Sequence, residues 1–171
     1  MKNHFFELPI STRDGEFTAR YSENGLAELS FPGGNHKNCG GRIQAKPQSA
    51  IRNPQLKGWH RTTETALKNL LGGRAAKHLP PLDWSAGTEF QKRVWRELRK
   101  IPAGKTKSYG EIAARIGRPK AVRAVGGACG ANPIPVLVPC HRILAANKKI
   151  GGFSGGLDWK RKLLAREGTK F

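Results

Sequence analysis

Three short runs of alternating apolar and polar residues open the chain. Phe5 to Ser11, the alternation Phe17-Ala19-Tyr21, and Leu26 to Phe31 have the two-residue period of strands with one buried face. Asp14-Gly15 and Asn24-Gly25 separate them. Such pairs supply the positive φ angles of tight hairpins, so the pattern predicts a three-stranded meander. Residues 32–58 are rich in Gly, Pro and Asn, show no period, and read as loop with one short strand near Ile43. The period then changes. Trp59, Thr63, Ala66, Leu67 and Leu70 fall on one face of a helix over Trp59 to Leu71, which Gly72-Gly73 ends. The proline-marked stretch 78–86 reads as a linker, dividing a first domain, 1–85, from a second, 86–171.

The second half is patterned more sharply. Thr88 with Gln91, and Ser108 with Glu111, are capping boxes: each hydroxyl can accept from a backbone N–H of the first turn while the longer side chain reaches back. The first predicts a helix carrying Phe90, Val94, Trp95 and Leu98 on one face, stopped at Pro102-Ala103-Gly104. The second opens a short helix through Ile112 and Ile116. Gly117-Arg118-Pro119 then makes a three-residue turn, with Pro119 suited to the first position of a helix from about Lys120 to Gly130. Helix, short turn with glycine, helix is the helix-turn-helix pattern. Its second helix is unusual for a reader of bases, because past the first turn Arg123 is its single cation and Gly126, Gly127, Ala128 and Gly130 follow. Close helix packing explains that composition, and so does close approach of backbone to a groove; composition alone favours packing.

Charge points to a polyanion. The 171 residues hold 31 Lys+Arg against 12 Asp+Glu, a net charge of +19. Residues 1–88 carry 12 basic and 7 acidic side chains, or +5; residues 89–171 carry 19 and 5, or +14. Clustered cations of that kind are the footprint of nucleic-acid binding, with an anionic membrane surface as the rival. No apolar run approaches the roughly 20 residues a spanning helix needs. The first residues show no secretory pattern, and Cys39, Cys129 and Cys140 form no regular disulfide framework, which fits a reducing cytosol. Ligand spacing is too sparse for a metal site, and nothing suggests a cofactor.

The segment Ile134 to Ile143, IPVLVPCHRI, carries the chemistry. Val136-Leu137-Val138 reads as a buried strand that Pro139 ends, followed by Cys140, His141 and Arg142. A thiol beside two cationic neighbours has reason for a depressed pKa, and the thiolate is the nucleophile. For an isolated Cys-His pair, a buried structural cysteine is the better reading.

Asn132 through Arg142 closely resembles the active-site motif of the O6-alkylguanine-DNA alkyltransferases. The likeness extends through Ser108-Tyr109-Gly110-Glu111-Ile112-Ala113, Arg118 to Ala128, Gly152-Phe153-Ser154-Gly155-Gly156 and Arg166-Glu167-Gly168, spanning residues 88–168. The resemblance implies an α+β chain: a ribonuclease-H-like first domain with a small antiparallel sheet and a helix, and a winged-helix-like second domain. It implies a monomer that binds the minor groove of double-stranded DNA without a cofactor, flips out O6-alkylguanine and transfers the alkyl group irreversibly to Cys140, in the cytoplasm (nucleoid or nucleus). Arg123 matches the intercalating arginine, and Tyr109 the residue that pushes the flipped phosphate and meets the base. Gly126, Gly127, Ala128 and Arg142 fall at the DNA. His141 corresponds to a general base acting through a water, Glu167 to its orienting carboxylate, and Asn132 to the residue holding the turn. Without the family, Glu167 reads as a surface charge on a last helical turn. Pro135, Val138, Ile143, Phe153 and Ser154 fall around the flipped base, Phe153 standing where many members have Tyr. A sister group has Trp in place of the acceptor and only binds damage; the presence of Cys140 argues against that reading.

Overall fold

The three alternating runs make one antiparallel sheet in the order β1 (Phe6–Thr12), β2 (Gly15–Ser22) and β3 (Gly25–Ser30). The computed structural model describes residues 5–34 and 53–169. The register pairs Leu8 with Ala19 and Ile10 with Phe17, which puts these side chains on the buried face. Helix α1 (Pro54–Leu71) lies across that face and buries Leu56, Leu67 and Leu71. It begins five residues before the expected Trp59. Asn53 accepts at its side chain from the N–H groups of Gln55 and Leu56, and Pro54 takes the first helical position, where a missing N–H costs nothing. The strand expected near Ile43 lies outside the described residues.

The stretch expected as a linker is not free chain. Leu26 N–H donates to the Pro81 carbonyl at 2.8 Å and Asp83 N–H to the Leu26 carbonyl at 2.8 Å, so residues 81–83 run along β3. Gly25 is required twice over. Its φ is +141°, and a Cβ there would stand 2.3 Å from the Pro81 carbonyl oxygen.

Both capping boxes form, starting α2 (Glu89–Leu98) at Thr88 and α3 (Tyr109–Arg115) at Ser108. These two helices and α4 (Val122–Gly130) pack together over Val94, Trp95, Leu98, Ile112 and Val125. The α3–α4 connection is longer than the expected three residues, running from Ile116 to Ala121. Gly117, at φ +70°, ends α3, and Pro119 sits in a turn before α4 rather than at its first position. Lys107–Ser108 (β4) pairs in parallel with Ile143–Leu144 (β5), and α5 (Leu157–Arg166) closes the chain. The architecture is mixed α+β.

Val136-Leu137-Val138 is buried as expected but is not a strand. It forms a tight turn in which Val136 takes φ +71°, a conformation a β-branched residue seldom adopts, and Pro135 bridges to Val138. The sheet meets this turn region directly, through a 2.9 Å hydrogen bond from Leu29 N–H to the Pro133 carbonyl.

Candidate active site and nucleic-acid interface

The turn places Cys140 at the start of a single 3₁₀ turn, Cys140–Arg142, under the C-terminal end of α4. Cys140 is 4% exposed and borders a cavity of about 290 Å³ shared with Tyr109, Gly126, Phe153 and Ser154. Asn132 builds the approach. Its amide donates to the Val138 carbonyl at 2.9 Å and to the Cys140 sulfur at 3.1 Å, while its oxygen accepts from Ile134 N–H at 3.1 Å. One buried side chain therefore fixes both ends of the turn and touches the nucleophile.

Behind the thiol lies a buried charge cluster. His141 Nε2 is 2.9 Å from Glu167 Oε1, and Arg142 donates to the same carboxylate through Nε and Nη2 at 2.8–3.2 Å. Burial alone would raise the Glu167 carboxyl, but the hydrogen bonds from His141 and Arg142 hold it down at about 2. An ionised carboxylate only accepts, so Nε2 carries the proton of a neutral imidazole and Nδ1 presents a lone pair. Burial favours that neutral ring, pushing His141 below the usual histidine value against the pull of Glu167. Nδ1 is buried and has no hydrogen-bond partner among the described residues.

One expectation fails here. The thiol is not depressed: burial pushes Cys140 up to about 11, with the Asn132 hydrogen bond pulling the other way. The two adjacent side chains do not help, because Arg142 and the neutral His141 ring both turn to Glu167; the charge on Lys160 pulls the thiol down, but by less than burial raises it. Arg142, expected at the DNA, is turned inward. It is buried, and Nη1 donates to the Ile101 carbonyl at 2.5 Å.

Lys160 was not singled out from the sequence, where Lys160-Arg161-Lys162 looks like a surface run. It is fully buried, and Nζ donates to the carbonyls of Ile143 at 2.6 Å and Gly152 at 3.1 Å, tying the segment after Cys140 to the loop carrying Phe153. Burial lowers it to about 8. The signal was present: Lys160 shares the i, i+3, i+4 spacing of Leu163 and Leu164, the inward face of α5.

The other expected residues divide by position. Tyr109, half-buried, stands between α4 and the 152–154 loop, its pKa raised by burial. The Phe153 ring meets the His141 ring edge-on at 6.4 Å. Pro135 lies in an adjoining crevice with Phe31, Ser154 and Trp159. Val138 and Ile143 are fully buried, and their carbonyls accept from Asn132 and Lys160. On α4, Arg123 is exposed and makes no hydrogen bond or ion pair among the described residues. A Cβ at Gly127 or Gly130 would meet nothing within 4 Å. Ala128 points the other way: it is buried, and its carbonyl accepts from Trp95 Nε1 at 2.8 Å, so the small residues serve two faces. Packing explains Ala128; Gly127 and Gly130 leave backbone open.

A helix-turn-helix presenting the exposed Arg123, set against a buried thiol and a His–Glu pair, has the parts of a DNA-directed protein with a cysteine nucleophile. Residues 89–169 match the family model described as 6-O-methylguanine DNA methyltransferase, DNA binding domain. The methylated-DNA--protein-cysteine methyltransferase of Methanosarcina acetivorans is 58% identical over 165 residues, covering 96% of each chain. The protein of that name from Mycolicibacterium paratuberculosis is 60% identical over 81 residues, 47% of this chain and 49% of its own length; several other curated relatives likewise match over about half their length. The crystal structure of Mycobacterium tuberculosis OGT in complex with DNA superimposes with a TM-score of 0.73 at 33% identity, covering 96% of this chain and 93% of that one. The chain belongs to the methylated-DNA--protein-cysteine methyltransferase family.

Proposed function

We propose that this protein repairs DNA by direct reversal, moving the alkyl group of O6-alkylguanine onto Cys140 in a single-turnover reaction without a cofactor. The observation that carries the reading is the Cys140 thiol at the cavity floor, with the Nδ1 lone pair of a neutral, Glu167-anchored His141 behind it. With the thiol near 11, only about 10⁻⁴ of it is thiolate at neutral pH, so attack needs proton removal in step with it. His141 accepts that proton through an intervening water, and Glu167 stabilises the resulting imidazolium. The sulfur bonds to the alkyl carbon as the carbon–O6 bond breaks, and guanine leaves with that electron pair and takes up a proton. The product is a thioether, which nothing in the site reverses.

Reaching O6 requires extrusion of the base, at a cost of a few kcal/mol. The open backbone of α4 at Gly127 and Gly130 suits close approach to the minor groove. Arg123, unpaired at its exposed start, takes the space the guanine leaves, while Tyr109 meets the flipped nucleotide. We read residues 1–85 as a ribonuclease-H-like domain and 86–171 as a winged-helix-like domain, acting as a monomer in the cytoplasm, at the nucleoid or nucleus. Intact mass before and after incubation with an O6-methylguanine duplex tests the whole proposal. One methyl per protein, mapped to Cys140, is expected. Repeated turnover, or a methyl on Cys129 or Cys39, overturns it.

A further inference from the structure

The carboxylate behind the histidine follows directly on Arg166, and Arg166 is gripped from the other half of the molecule. Asp14, in the β1–β2 turn, is buried at its side chain and receives both prongs of the Arg166 guanidinium at 2.6 and 2.8 Å. Lys162, one turn earlier on α5, reaches the same carboxylate at 2.7 Å. Nη1 of Arg166 also donates to the Leu71 carbonyl at the end of α1. The backbone is held as closely: Gly73 has φ +73°, and a Cβ there would lie 2.1 Å from the Arg166 carbonyl oxygen. The last turn of α5 is therefore clamped by the hairpin and by α1, and the next residue, Glu167, is delivered to His141.

We infer that Asp14 is a positioning residue for alkyl transfer: by fixing Arg166 it sets where the Glu167 carboxylate stands against His141. The inference rests on the His141–Glu167 relay proposed above. A two-pronged carboxylate–guanidinium pair constrains orientation as well as distance, and misplacing a catalytic group by about 1 Å can cost 10²-fold in rate. Asp14 touches neither Cys140 nor the open face of α4, so its loss leaves duplex affinity intact.

A double-mutant cycle on the full chain tests this, using single-turnover transfer from O6-methylguanine duplex at saturating protein and well below the melting midpoint. Asp14→Asn is expected to slow transfer by about tenfold with the dissociation constant for duplex unchanged, and to add nothing in the Glu167→Gln background. Arg166→Lys, which keeps the charge and loses the fork, is measured beside it and gives the same non-additive signature should Asp14→Asn fail to fold. Equal losses with and without Glu167 mean that Asp14 supports the fold only, and overturn the inference. So does an unchanged rate in Asp14→Asn. If Glu167→Gln alone leaves the rate unchanged, the relay itself falls, a result distinct from either of those.

Discussion

The amide of Asn132 stands 3.1 Å from the sulfur of Cys140 and donates to it, while the same side chain ties Ile134 N–H and the Val138 carbonyl. It is thus both the pin of an unusual turn and a polar neighbour of the nucleophile. Asn132→Ala strands buried groups at a cost on the order of 1–3 kcal/mol each, so a fall in thermal midpoint and a slower transfer are expected together. Asn132→Asp keeps an acceptor for Ile134 but sets carboxylate oxygens against both the Val138 carbonyl and the sulfur, so both stability and transfer should fall at least as far as in Asn132→Ala. Melting curves read beside single-turnover rates check this.

The relay predicts a change in the shape of the pH–rate profile. His141 is pushed below its ordinary value, so it stays neutral and able to accept a proton through neutral pH, and the wild-type rate should be flat there. His141→Ala leaves the thiol to ionise unaided near 11. Its rate should be lower at neutral pH, by on the order of 10²–10⁴-fold, and should climb with pH through the alkaline range. A variant whose profile stays parallel to wild type would place His141 outside proton transfer.

Glu167 also makes an acid-stability prediction. Its carboxyl is held at about 2 in the folded protein against an ordinary value of 4.5. The unfolded chain therefore binds a proton first as pH falls, and the stabilisation, present above about 4.5, is lost progressively toward 2. Glu167→Gln should start less stable at pH 6 and show a shallower decline of thermal midpoint over that window.

Lys160 gives a slope of the same sign in an alkaline window, but here the charged form is a cost to the fold rather than a gain. Its folded value, about 8, lies below the ordinary 10.5, so between the two the unfolded chain holds more protons and stability rises with pH. The two buried thiols, raised to about 11 and 12 from 9, make stability fall above pH 9. The window from 8 to 9 isolates the lysine. Lys160→Met should lose the rise there, and should be less stable overall because the Ile143 and Gly152 carbonyls lose their donor.

Much of this arrangement was legible where the signal is local. Capping boxes at Thr88 and Ser108 and the two hairpin turns depend on residues three or fewer apart; the boxes form as expected, and the hairpins turn one residue early, through Arg13-Asp14 and Glu23-Asn24, with positive φ at Gly15 and Gly25 alone. The Asn53-Pro54 start of α1 was equally local, but lay hidden in a stretch whose composition suggested loop. What failed was non-local. The charge on Arg142 looked available to Cys140 until Glu167, 25 residues on, engaged it. The left-handed Val136 is imposed by Asn132 and by burial against the core, which a buried apolar triplet cannot announce.

Arg123 offers the sharpest separation of base flipping from chemistry. If its side chain fills the space left by the guanine, its removal penalises only substrates that must be unstacked. Arg123→Ala should then lose much of its transfer rate on duplex, where flipping costs a few kcal/mol, and keep most of it on free O6-benzylguanine, which has nothing to flip. Phosphate contact is the commonest alternative for an exposed arginine on such a helix. In that case the loss appears as weaker binding and a shallower dependence on salt, each phosphate neutralised contributing a slope of about −0.9, and saturating protein restores the duplex rate. Single-turnover rates at high protein concentration decide between the two. Equal losses on duplex and on free base would instead mean that Arg123 supports the cavity, a role its exposure at the start of α4 and its lack of partners among the described residues oppose.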